Sequence, residues 1–227
     1  MAALRRFDDP AEVPASGERF LLPGPAGDLE ALLTRPRGTP EQALAVICHP
    51  HPVYGGSLDN KVVHTIARAF GDLGAVTLRF NFRGVGHSEG TYDEGVGERA
   101  DMLAAVAWLR ERRPAVPLWL AGFSFGAYVA HAGWAEAKAQ RLLLVAPAVS
   151  LFAFGGRSEV TIPWLVIQGG EDEVIDPGRV EAWAAAQSHP PRFACLPAAG
   201  HFFHGQLIAL RDTIVQEWSR LDAPAGA

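Results

Sequence analysis

The feature of this chain that most constrains its fold is an alternation. Apolar runs of strand length recur at residues 43–48, 75–82, 117–121, 141–149, 164–168 and 192–196. Most are near-continuous in Val, Leu, Ile, Ala and aromatic residues, as strands buried on both faces require. Between them, apolar residues fall at helical spacing. Val63, Ile66, Phe70 and Leu73 give a helix stopped by Gly74, and Met102, Leu103, Val106 and Leu109 give one ended by Pro114. Residues 127–137 hold good helix formers and no proline, 177–187 start on a proline behind Asp176 as cap, and Leu207, Leu210, Ile214, Trp218 and Leu221 mark a last amphipathic helix. Strands alternating with helices pair in parallel through right-handed crossovers, so the expected fold class is α/β, with helices on both faces of one sheet. Ahead of this region, residues 19–22 and 29–33 flank a Pro/Gly-rich turn at 23–28 and read as a hairpin. With 227 residues, 48% of them hydrophobic, the chain suits one core: a single domain over 18–227, preceded by a segment, 1–17, rich in Pro, Asp and Glu and expected to be loosely ordered.

In such sheets chemistry collects beyond the carboxyl ends of the strands. The run Leu118-Trp119-Leu120-Ala121 passes directly through Gly122-Phe123-Ser124-Phe125-Gly126 into a helix. A serine on a sharp strand-to-helix turn has its hydroxyl clear of the backbone, and glycines two residues either side leave the turn uncrowded. Ser124 is therefore the candidate nucleophile. The pattern occurs a second time at Gly86-His87-Ser88-Glu89-Gly90, but Ser88 lies several residues past its strand and runs on into turn residues, so it reads as a loop serine.

A hydroxyl attacks an acyl carbon at neutral pH only if a base takes its proton, and that base needs an orienting carboxylate. His201 follows the last strand beside Gly200 and is the candidate base; His204, three residues on, is its rival. Asp172 sits in the Gly-Gly turn after the 164–168 strand and is the candidate carboxylate. Its competitors are Glu171 and Glu173, read as solvated loop charges, and Asp176, read as the helix cap. Two donors must hold the developing oxyanion. One is the N–H of Phe125, the residue after Ser124. The second is expected from His49-Pro50-His51-Pro52-Val53-Tyr54; the prolines have no N–H to give, which leaves His51, Val53 and Tyr54, with Tyr54 favoured because its phenol adds a donor.

Other functions are disfavoured. The formal charge of −5 and the lack of a concentrated Lys/Arg cluster argue against nucleic acid. No run reaches the roughly 20 apolar residues of a membrane helix, and Arg5 and Arg6 precede no apolar signal region, so a cytoplasmic setting is expected. Cys48 and Cys195 lie in apolar runs and are expected to be buried thiols on strands too far apart to bridge. His49 and His51 suggest a metal, but no third ligand follows at suitable spacing, so the prolines and histidines read as a rigid turn over the site. Gly84-Val85-Gly86 lacks the helix and third glycine of a dinucleotide loop. No metal or cofactor is expected.

Taken together, residues 49–56 with Asn60-Lys61-Val62-Val63, and the loop Asn81-Phe82-Arg83-Gly84-Val85-Gly86-His87-Ser88-Glu89-Gly90, resemble the α/β-hydrolase superfamily, and within it a group of small bacterial serine hydrolases without a lid. The resemblance runs from the hairpin to the last helix. It implies a mostly parallel eight-stranded sheet, no cap domain, and a Ser-Asp-His triad on Ser124, Asp172 and His201. The loop has His-Pro where many relatives have His-Gly, which leaves the second oxyanion donor open. Only residues 150–162 separate two successive strands, too little chain for a cap, so an open site for short or slender acyl esters is expected. Phe123, Phe125, Phe152, Phe154, Phe202 and Phe203 lie near it, half of them assignable to the core. The expected activity is cleavage of a small-molecule carboxylic ester through an acyl-enzyme, by a monomer or homodimer. A thioesterase, lactonase or peptidase with the same triad, or a ligand-binding protein without turnover, is the alternative.

Overall fold

The computed structural model describes residues 4–154 and 159–221. Strands and helices alternate as β1 (Arg5–Arg6), β2 (Arg19–Gly24), β3 (Gly27–Thr34), β4 (Ala43–Cys48), α1 (Lys61–Asp72), β5 (Ala75–Phe80), α2 (Val96–Arg112), β6 (Leu118–Phe123), α3 (Phe125–Gly133), β7 (Arg141–Val145), β8 (Trp164–Gly169), α4 (Pro177–Ala185), β9 (Arg192–Leu196) and α5 (Leu207–Ser219). They form one sheet in the order β1-β2-β3-β5-β4-β6-β7-β8-β9. Only β3 runs antiparallel to its neighbours, β2 and β5; every other pairing is parallel.

The continuous apolar runs are explained by two-sided burial. Along β4, Leu44, Val46 and Cys48 face a core shared with α2 and α3, while Ala43, Ala45 and Ile47 face a second core shared with α1 and α5. Every residue of β4, β5, β6 and β8 is buried, so no polar face had to be encoded in them. Local signals set the helix ends. The Asn60 side chain accepts from the N–H of Val62 at 2.9 Å to start α1, and Asp176 accepts from Arg179 at 3.1 Å to start α4.

Three expectations are corrected. The described sheet has nine strands rather than eight, the additional one being the two-residue β1. The segment expected to be loose is tied down: Phe7 is 2% exposed, the Trp108 indole donates to its carbonyl at 2.8 Å, and the buried Arg112 guanidinium donates to the carbonyls of Asp9 (2.7 Å) and Glu12 (2.9 Å). Burying one phenylalanine contributes about 2 kcal/mol, and the bonds from Trp108 and Arg112 and the pairing of β1 with β2 add to it. Residues 1–3 of that segment, and 222–227 of the expected domain, lie outside the described residues. Cys48 is buried, but Cys195 is exposed, because β9 is an edge strand only partly covered.

The parallel register brings the carboxyl ends of β4, β6, β8 and β9 to one edge, with Cys48 beside Gly122 and Gly169 beside Leu196. The four loops carrying His51, Ser124, Asp172 and His201 leave from that edge. Among the described residues, no helix is long and apolar enough to cross a membrane.

Candidate active site

Ser124 occupies the junction of β6 and α3 with φ 56° and ψ −114°, a conformation that non-glycine residues rarely adopt. Its surroundings over-determine it. The Ser124 N–H donates to the Val145 carbonyl on β7 at 2.9 Å, and its carbonyl accepts from Ala127 at 3.0 Å. A Cβ on Gly122 would sit 2.1 Å from the Gly126 carbonyl oxygen, and one on Gly126 would sit 2.3 Å from that of Cys48. Only glycine at these two places lets the turn close on itself and against β4.

The structure brings Ser124, His201 and Asp172 together. His201 Nε2 lies 3.1 Å from Ser124 Oγ, and Nδ1 lies 2.8 Å from Asp172 Oδ2. All three side chains are at least nine-tenths buried. Asp172 is held on every side: Oδ1 accepts from the N–H groups of Val174 (2.9 Å) and Ile175 (2.7 Å), and Oδ2 also accepts from the Gln168 amide (2.8 Å). Burial opposes ionisation of Asp172, but the bond from His201 and those from Ile175 and Val174 outweigh it and hold the carboxyl below its ordinary range. An ionised Asp172 assigns the Nδ1 proton to His201, which leaves Nε2 as the acceptor facing the serine hydroxyl.

Two supports were not read from the sequence. Gln168, the penultimate residue of β8, closes an apolar run in the sequence, yet its amide braces Asp172. Glu173, read as a solvated charge, accepts from the His201 N–H at 3.1 Å and so fixes one loop to the other. No motif announces either; their polarity beside a predicted acid was the available signal. His204 is exposed and stacks on Phe202 at 5.9 Å rather than joining the group, and Asp176 caps α4.

Tyr54 does not offer its N–H to Ser124. Residues Pro52–Tyr54 form a 3-10 turn in which the N–H groups of Tyr54 (3.2 Å) and Gly56 (3.0 Å) both go to the His51 carbonyl. The Val53 N–H goes to the His51 ring at 3.2 Å, and the Tyr54 residue is 86% exposed. Among the described residues, the His51 N–H is the one within the 51–56 turn without an acceptor, and the Phe125 N–H beside Ser124 has none either.

His49 is spent on structure. Its Nε2 accepts from the Phe82 N–H at 3.0 Å, so Nδ1 carries the proton and donates to the Pro50 carbonyl at 2.6 Å. With both nitrogens engaged it has no lone pair for a metal, and burial pushes its pKa down to about 4. Ser88 is likewise structural, donating to the Asn81 carbonyl at 2.7 Å and accepting from the Glu30 N–H at 2.9 Å.

Above Ser124 opens a cleft of about 510 Å³. His51, Phe125, Leu151, Phe152, Val174 and Phe202 line it, with Ser124 and His201 in its floor. Of the six phenylalanines near the site, Phe125, Phe152 and Phe202 reach the cleft, and Phe123, Phe154 and Phe203 are in the core. The described residues between β7 and β8, 146–154 and 159–163, build no domain over it.

Residues 27–156 match the family model described as X-Pro dipeptidyl-peptidase (S15 family). A solved α/β serine hydrolase homologue from Coxiella burnetii is 44% identical, with a TM-score of 0.88 over 91% of this chain and 99% of that one. A serine hydrolase without lid from Xanthomonas campestris is 41% identical, with a TM-score of 0.86 over 95% of this chain and 99% of its own. An uncharacterised protein of Rickettsia prowazekii is 34% identical over 190 residues, 79% of each chain. Matched in sequence along nearly its whole length, and in architecture down to the uncovered cleft, the chain belongs to the α/β serine hydrolases without a lid.

Proposed function

We propose that this protein hydrolyses carboxylic esters of small or slender acids, with Ser124 as nucleophile, His201 as general base and acid, and Asp172 as the group that orients and stabilises the imidazolium. The observation that carries this reading is the unbroken chain from Ser124 Oγ through His201 to Asp172, at 3.1 and 2.8 Å. His201 takes the serine proton as Oγ bonds to the acyl carbon. The tetrahedral oxyanion accepts from the N–H groups of Phe125 and His51, His201 returns the proton to the leaving alcohol, and water repeats the cycle to release the acid. His51 replaces Tyr54 as second donor because its N–H is the one the 3-10 turn leaves unspent.

The cleft lining favours esters over peptides with a free amino terminus. Among the described residues that line it, none is a carboxylate, whereas an enzyme releasing dipeptides must meet an ammonium group. Apolar and aromatic walls suit an uncharged acyl or alkoxy group.

Intact-mass analysis after treatment with a fluorophosphonate tests the reading. One adduct is expected on wild type and none on Ser124→Ala, with hydrolysis of an activated ester lost in parallel. An unmodified wild-type protein would sink the proposal and leave a ligand-binding role on the same fold.

A further inference from the structure

A second cleft, of about 430 Å³, shares no lining residue with the first. It lies between the end of β3 with the chain that follows, the helix α1, and β5. Its charge is one-sided. Arg35, Arg37, Arg68 and Arg79 line it with His64, against a single carboxylate, Asp72. Asp72 is already matched by Arg211 at 2.6 Å, and Arg35 by Glu41 at 2.9 Å. Arg37, Arg68 and Arg79 make no ion pair among the described residues. In a chain of net charge −5, three uncompensated guanidinium groups around one hollow run against the average.

Arg79 is the sharpest of the three. It is 7% exposed, one terminal nitrogen donates to the Leu58 carbonyl at 2.8 Å, and its buried Nε has no partner among the described residues. A guanidinium does not shed its proton near neutral pH, so a full charge is held in the fold with one carbonyl as hydrogen-bond acceptor and only the field of Asp59, which Arg19 already pairs, to offset it, a costly arrangement unless an anion completes it. The positive field reaches its neighbours. His64 is pushed below its ordinary pKa by burial and then by Arg79 and Arg68, with Asp59 opposing, and Asp59 is itself paired with Arg19.

We propose that this cleft binds a dianionic oxyanion: a phosphate group, either free or as the monoester of a small molecule. Forked guanidinium donors from a strand, a helix and a loop match tetrahedral oxygens approached from several directions, and the volume leaves room for an organic group beside the phosphate. The proposal is independent of the chemistry at Ser124.

Calorimetric titration of the full chain with inorganic phosphate, at ionic strength held constant with chloride, tests it. A parallel titration with glycerol phosphate distinguishes the sources: tighter binding of the ester assigns the site to a monoester, equal binding to phosphate itself. Saturable binding is expected, weakened at least about tenfold by Arg68→Ala and by Arg37→Ala, both exposed positions whose replacement spares the fold. Phosphate is also expected to raise the His64 titration midpoint seen by NMR, an effect a merely structural arginine cluster would not produce. No saturable signal from wild type, or affinity unchanged from wild type in both variants, overturns the proposal.

Discussion

At His51 the backbone and the side chain have different partners, and substitution can separate them. The residue has φ −52° and ψ 122°, a conformation proline adopts without strain. His51→Pro therefore removes the N–H assigned to the oxyanion while keeping the chain path, and His51→Ala keeps the N–H. Both lose the ring bond to Val53 and the ring contacts with Tyr54, Tyr92, Phe125 and Phe152. The comparison isolates one donor. With an activated ester, kcat is expected to fall by about 10²–10³ in the proline variant and by far less in the alanine variant. Equal losses would return the second donor to the open question it was in the sequence. That question could not be answered there for a physical reason. Prolines exclude themselves by composition, but which of the remaining N–H groups is free depends on a 3-10 turn that spends those of Tyr54 and Gly56 on one carbonyl. That Ser124, Asp172 and His201 would meet was legible because each stands within two residues of a glycine past the end of a strand, a pattern written locally.

Elements were legible wherever their signal is periodic, and the N-terminal segment shows where that stops. Nothing within residues 5–17 predicts order, because what fixes them lies about a hundred residues on, in α2. The Arg112 guanidinium stacks over the Trp108 ring at 3.8 Å and donates to the carbonyls of Asp9 and Glu12, so one buried side chain satisfies backbone that would otherwise need water. Arg112→Ala is expected to cost about 3 kcal/mol, with charged hydrogen bonds and the lost packing contributing together. Urea unfolding would measure that loss. Limited proteolysis should then cut ahead of β2 in the variant while wild type resists, and equal resistance would show that Phe7 alone anchors the segment. The count of eight strands failed for the same reason: β1 exists only because Phe7 is docked, and two residues carry no period of their own.

On the scale of the whole molecule, acid is expected to act first through histidines rather than through the site carboxylate. His49 and His131 are both pushed down to about 4 by burial, from an ordinary 6.5. The unfolded chain takes up their protons below 6.5 and the native protein does not until about 4, so stability is complete above 6.5 and drains away between those values. His49 alone accounts for about 3 kcal/mol of this. Asp172 works in the opposite sense of charge and in a lower window: its lowered pKa protects the fold until the pH falls beneath the ordinary carboxylate range. Urea midpoints taken in steps across the histidine window should decline steadily. His131→Phe, placed among Phe154, Trp164 and Trp183, should make that decline shallower, and an unchanged slope would remove His131 from the account. The strand order, finally, departs from chain order at one place only, where β5 and β4 are exchanged. From β6 onward a growing nascent polypeptide lengthens its sheet by one strand at a time on one side, never reopening what has formed. Ser124 emerges from translation with three strands, β7, β8 and β9, still to join, and His201 follows the last of them in the chain. On the proposed mechanism the elbow serine therefore stays an ordinary alcohol until the sheet is complete.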